Sequence, residues 1–156
     1  MVSTTLVLLL LCANLGKALA SCNPDLERRP TFFASLKTSQ TLSNVRDIVK
    51  FDEVKINIGR GYDSMTGIFT SPRNGIYIFS CTIMVNGGGG VQFQLNKNDQ
   101  LYTNGYAANS NYGAQTVNSL VELRTGDKVY IKHSAGTSQN VYGHYFSTFS
   151  GYLLSK

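Results

Sequence analysis

From Phe32 to the end of the chain, apolar and polar side chains alternate in short runs broken by Gly, Asn, Asp and Ser, and no stretch carries a helical period. This period-two pattern is what β-strands joined by turns look like. Candidate strands fall at 31–36, 47–51, 55–58, 67–70, 75–85, 91–96, 100–107, 116–123, 128–133 and 146–154. Up to ten short strands predict an all-β sandwich or jelly roll. In the 75–85 segment one face carries Ile76, Ile78 and Met84 and the other Tyr77, Phe79, Ile83 and Val85, so both faces need cover and the strand is expected to be central. Thr125-Gly126-Asp127 and Asn86-Gly87-Gly88-Gly89-Gly90 supply turn chemistry, and the second is expected to be a mobile loop.

The chain has 156 residues, 15% of them charged, with 8 Phe and 9 Tyr but no Trp, which suits a single globular domain with a ring-rich core. Its 15 glycines do not recur every third residue, so a collagen-like stretch is excluded. Residues 1–20 read as a secretory signal: an apolar run from Leu6 to Cys12, too short to span a bilayer, ends at the small-x-small pattern Ala18-Leu19-Ala20. Residues 21–30 are then a short tail and 31–156 the folded domain. Without the leader 13 basic side chains face 9 acidic ones, a net charge of +4. The cations are scattered singly, so neither nucleic acid nor membrane insertion is expected. Cys12 leaves with the leader, and the cysteines that remain make no disulfide framework. Cys81 reads as a buried thiol. Cys22 is a candidate bridge to another chain, and a bond between Cys22 and Cys81 stays open.

No nucleophile and base lie in a catalytic pattern, so enzymatic chemistry is not expected. The 2 histidines, His133 and His144, have no carboxylate or thiol partners spaced for a metal and read as solvated surface groups. The aromatic stretch from Tyr145 to Leu154 exceeds what one small core needs and points to burial between subunits. The segment from Asn104 to Gly113 combines amides with tyrosines, the chemistry of adaptable recognition loops. Asn104, Tyr106, Asn109, Asn111 and Tyr112 are therefore candidate ligand-binding residues, with Tyr142 and His144 as a second candidate loop. The same residues also suit an ordinary polar turn.

One spacing is diagnostic. Phe51, Asn57, Tyr62, Phe69 and then Gly75-Ile76-Tyr77-Ile78-Phe79 resemble the pattern of the globular head domain of complement C1q. Only Cys81 departs, where the pattern has an aromatic residue. Thr66-Gly67-Ile68-Phe69, Leu123-Arg124-Thr125-Gly126-Asp127-Lys128-Val129 and Phe149-Ser150-Gly151-Tyr152-Leu153-Leu154 extend the resemblance from about Thr31 onward. It implies a ten-stranded jelly roll shared with the tumour necrosis factor ligands and assembled as a homotrimer. Phe51, Phe69, Gly75, Tyr77, Phe79 and Gly151 would serve core or turn roles rather than a site. With only Ser21 to Pro30 before the first strand, the chain resembles a head-only secreted member. The resemblance points to a lectin-like recognition molecule of innate immunity that captures microbial glycans or lipopolysaccharide, or alternatively to a cytokine-like or cerebellin-like ligand of a protein receptor. Cofactors are not expected. Some family members bind calcium, but the loop before the strand near Thr116 has no Asp or Glu, leaving only Asp99 as a carboxylate that would have to reach in.

Overall fold

The computed structural model of the chain describes residues 29–156, so the leader, Cys22 and most of the short tail lie outside the described residues. The described part contains twelve strands: β1 (Thr31–Ser35), β2 (Gln40–Leu42), β3 (Glu53–Ile58), β4 (Tyr62–Asp63), β5 (Ile68–Thr70), β6 (Gly75–Met84), β7 (Val91–Lys97), β8 (Gln100–Ala107), β9 (Ala114–Leu123), β10 (Lys128–His133), β11 (Gln139–Val141) and β12 (Thr148–Ser155). Ten of them form two five-stranded antiparallel sheets, β3-β1-β12-β6-β9 and β4-β5-β10-β7-β8, and β2 pairs with β11 at the side. The result is an all-β jelly-roll sandwich with β6 inside its sheet, between β12 and β9.

One expected strand is absent. Residues 47–51 run beside β10 for a single bridge, Ile48 to Lys132, and then leave it. Past that bridge the amides turn to side chains: Lys50 N–H donates to Gln40 Oε1 at 2.9 Å and Phe51 N–H to Tyr62 Oη at 3.1 Å. The unanticipated strands β2, β4 and β11 have two or three residues each, too few to display a period. The last strand begins at Thr148 rather than Phe146, because Phe146 N–H closes a turn onto the Gly143 carbonyl at 3.1 Å.

Rings fill the space between the sheets. Phe32 stacks on Tyr62 at 4.8 Å and on Phe69 at 5.1 Å, and meets the edge of Phe149 at 5.0 Å. Phe51, Tyr77, Phe79 and Cys81 are fully buried beside them. Burial pushes the Cys81 thiol pKa well up, as desolvation disfavours the thiolate. Gly75 is needed at φ +148, where an added Cβ would lie 2.4 Å from the Ser155 carbonyl oxygen. The Thr125–Asp127 turn carries Gly126 at φ +91. The Asp127 carboxylate accepts the Arg124 N–H at 2.9 Å, and this bond first, then the Asn98 amide, lowers its pKa.

Among the described residues the outer face of β6 is only partly covered. Its outward residue Ile76 stays 41% exposed, and in register across the outer face of the first sheet lie Thr31, Tyr152, Ile78 and Leu120. Phe33, Ile56 and Leu154 widen this exposed apolar surface.

Asn57 explains a polar position among the rings. Its Nδ2 donates to the Tyr62 carbonyl at 2.8 Å and its Oδ1 accepts the Tyr62 N–H at 3.2 Å, which fixes the β3–β4 turn and seats Tyr62 against Phe32. Asn57→Ala removes both bonds and is expected to cost about 2 kcal/mol, read as a lower midpoint in urea unfolding with an unchanged slope.

Candidate functional site

The strand registers define two ends of the sandwich. Ser35, Thr148, Thr82 and Thr116 lie in register near one end, and Gly75 pairs with Leu123 near the other, where Pro30 and Ser155 also sit. The candidate residues cluster at the first end and divide into two groups.

The first group is aromatic. Tyr142 meets the edge of Tyr112 at 5.8 Å, lies nearly parallel to Phe146 at 5.8 Å and contacts His144 at 5.1 Å. The two candidate loops therefore share one end. Their backbones are held tightly: Ser147 Oγ donates to the Tyr142 carbonyl at 2.6 Å and accepts the Met84 N–H at 3.0 Å, while Tyr142 N–H donates to the Met84 carbonyl at 2.8 Å. Tyr112, His144 and Tyr145 adopt φ of 59°, 52° and 67°, left-handed values that are costly for bulky residues. Tyr112 is 58% and Phe146 51% exposed, so this strained end displays rings to solvent.

The second group lines a groove of about 540 Å³ on the outer face of the second sheet, formed by Gln92, Asn104, Gly105, Tyr106 and Ser134. Asn104 and Tyr106 stand on β8, not in a loop, and pair across to Gln94 and Gln92 on β7. Glycine at position 90 lets the Tyr106 ring lie close over the chain, since a Cβ there would come within 2.7 Å of the ring. Asn109 and Asn111 lie apart from the groove in the 108–113 loop. Asn109 Oδ1 accepts the Gly89 N–H at 3.2 Å, so this side chain braces the glycine-rich loop.

Behind the groove runs a polar brace. Gln139 Oε1 accepts the Gln92 N–H at 2.7 Å and lies 3.1 Å from His133 Nε2, whose Nδ1 is 2.9 Å from the Asn44 carbonyl oxygen. His133 is fully buried, which corrects the expectation of a solvated histidine: its strand position on β10 points it inward, where both ring nitrogens find oxygen partners. His144 is exposed, as expected. Asp99 is also displaced from its expected neighbourhood. It sits in the β7–β8 turn beside Asn98, which bonds Asp127, at the end opposite the 108–113 loop. Among the described residues no three of His, Cys, Asp or Glu gather in a metal-binding group. Among them, too, no helix is long and apolar enough to cross a membrane.

Gln92, Gln94 and Ser134 were not singled out from the sequence. The alternation Gln92-Phe93-Gln94-Leu95-Asn96 puts three amides on one face of β7 and was the available signal. Chemically, the groove offers amide donors and acceptors, a hydroxyl and one ring face, and its lining residues include no carboxylate, imidazole, thiol or amine.

A jelly roll of this topology defines the class shared by C1q heads and tumour necrosis factor ligands. The C1q domain family model matches residues 31–154, and the chain belongs to that family. The heavy metal-binding protein HIP of the mussel Mytilus edulis is 32% identical over 111 residues, covering 69% of this chain and 52% of that protein, so the chain spans about half the length of this relative. The globular domain of zebrafish complement 1qA superposes with a TM-score of 0.65 at 20% identity, over 83% of this chain and 99% of that one. Murine APRIL gives 0.62 at 12% identity, over 81% and 100%. These two likenesses concern the fold.

The brace has an acid-sensitive foot. The Asp47 carboxylate accepts the N–H groups of Ser43 at 2.7 Å and Asn44 at 3.0 Å, and these bonds, Asn44 first, lower its pKa. A carboxyl held below its unfolded value stabilises the fold fully above the ordinary carboxylate range and loses that contribution as pH falls through the folded value. Thermal melts taken from neutral pH down to about pH 3 should therefore show wild type losing more stability than Asp47→Asn. Parallel acid limbs would remove Asp47 from this role.

Proposed function

We propose that this chain is a secreted, non-enzymatic recognition protein: a homotrimer of C1q heads that captures carbohydrate on microbial surfaces, including lipopolysaccharide, in innate immunity. The observation that carries the reading is the Gln92–Asn104–Tyr106–Ser134 groove. Sugar hydroxyls both donate and accept, which amide and hydroxyl groups match, and the C–H face of a sugar ring packs on an aromatic ring. The leader-like residues 1–20 support export. The exposed apolar surface around Tyr152 and Leu120 supports self-association, since a monomer would leave it in water. Three weak grooves on one rigid trimer gain avidity without new contacts. Calcium has no part in this reading. The heavy-metal binding carried in the mussel protein's name is not extended to this chain, whose described residues offer no ligand cluster.

A glycan and lipopolysaccharide array tests the ligand class. Saturable binding to microbial sugars is expected, and Asn104→Ala with Tyr106→Ala should weaken it about tenfold or more while the melting temperature stays nearly unchanged. An array without signal, together with saturable binding to a cell-surface receptor protein, would replace recognition by signalling.

Assembly has its own test, and burial selects the residue. Phe149 is fully buried in the ring core, so Phe149→Asp strands a charge there and is expected to abolish folding. Tyr152 is 43% exposed on the apolar face, so Tyr152→Asp should fold and yield monomers in light scattering where wild type shows three chains. A monomeric wild type at micromolar concentration sinks the trimer.

A further inference from the structure

The strand registers lay out the outer face of the second sheet in rows. On β10, Val129, Ile131 and His133 are fully buried, so Tyr130 and Lys132 project outward between them. Ser134 N–H donates to the Gln92 carbonyl at 3.1 Å and Gln92 pairs with Tyr106, which makes Ser134, Gln92 and Tyr106 one row of the groove already described. Two residues along, Lys132 pairs with Gln94 and Gln94 with Asn104, a second row about 7 Å from the first. Asn104 itself lines the groove, so the rows are continuous. The next row closes over: Tyr130 is 8% and its partner Asn96 1% exposed. The open track is therefore two rows long.

The second row is chemically unspent. Among the described residues the side chains of Lys132, Gln94 and Asn104 enter no hydrogen bond or ion pair. The carboxylate of Asp47, on the segment that bridges to β10, is taken up by the Ser43 and Asn44 N–H groups. An ammonium and two primary amides side by side offer more donors than acceptors, which suits a carboxylate, an acceptor only. The amide oxygens are left for hydroxyls. A single point charge suits one planar carboxylate better than it suits a sulfate or phosphate, whose oxygens call for a forked guanidinium or several cations. The first row has no cation and takes a neutral sugar against the Tyr106 ring.

We propose that the Tyr106 groove continues onto the Lys132 row and takes a disaccharide unit in which a uronate is joined to a neutral sugar, with Lys132 selecting the carboxylate. This rests on the groove being a carbohydrate site. The test is titration of the full secreted chain with a hyaluronan-derived tetrasaccharide beside its carboxyl-reduced form, which keeps the sugars and removes the charge. The acidic form is expected to bind about tenfold tighter or more, with the margin shrinking at high salt. Lys132→Gln should erase that margin and leave the reduced form's affinity unchanged, whereas Lys132→Arg should retain part of it. Lys128→Gln, on the same strand, should leave the margin intact. Free glucuronate, which fills one row only, should bind about tenfold more weakly than the tetrasaccharide. Equal binding of the reduced form overturns the acidic row and leaves the groove standing as a neutral-sugar site. An equal loss in Lys128→Gln also overturns it, since the attraction is then diffuse. Binding of neither tetrasaccharide overturns it too, and the glycan array judges the groove separately.

Discussion

The Phe32 ring is the contact on which the sandwich depends. It projects from β1 of the first sheet and stacks on Tyr62 of β4 and Phe69 of β5 in the second, while Phe149 meets it at 5.0 Å and Phe79 at 6.3 Å from its own sheet. One side chain thus joins five strands across the two layers, and each such ring pair adds about 1 kcal/mol beyond the area it buries. The packing requires a missing side chain nearby: a Cβ on Gly151 would lie 2.5 Å from Phe79 and 2.9 Å from Phe32. Rings of this size leave no room for a ligand between the sheets, so binding chemistry is confined to outer faces and ends.

What lies on those surfaces is held by buried and half-buried polar groups rather than by more apolar packing. Asn57 ties the β3–β4 turn, Ser147 ties the aromatic loop to the end of β6, and His133 with Gln139 ties the 43–47 loop to β7. A buried polar group without partners costs about as much as several good contacts return, so such groups persist where their geometry is complete. Among the described residues Asn96 Oδ1 alone is both buried and unpartnered. Non-glycine residues in left-handed backbone follow the same logic, since three of them, Tyr112, His144 and Tyr145, belong to the one aromatic end.

The core was legible because it obeys a short period. Inward positions alternate along β6 as Tyr77, Phe79, Cys81 and Ile83, and every one is buried. Cys81, the departure from the family spacing, occupies the same inward row, where a smaller apolar group is tolerated. The site was less legible because it is assembled across strands. Asn104 and Tyr106 stood out by composition, yet Gln92 and Ser134 join them only through the β7–β8 register and the chain after β10. The alternation that revealed β7 as a strand also exposed its amides, but alternation does not say which outer face will be concave. His133 misled for a related reason: a polar residue at a strand end looks solvated until the 43–47 loop and β11 fold over it.

The proposed assembly through the first sheet would decide which surfaces remain for ligands. In the proposed trimer the face bearing Tyr152, Ile76 and Leu120 is consumed by neighbouring chains. The Tyr106 groove lies on the outer face of the other sheet, which keeps it open in each of three subunits. In that proposed trimer the rigid ring core keeps the three grooves fixed in direction, so that one repetitive surface can engage them together.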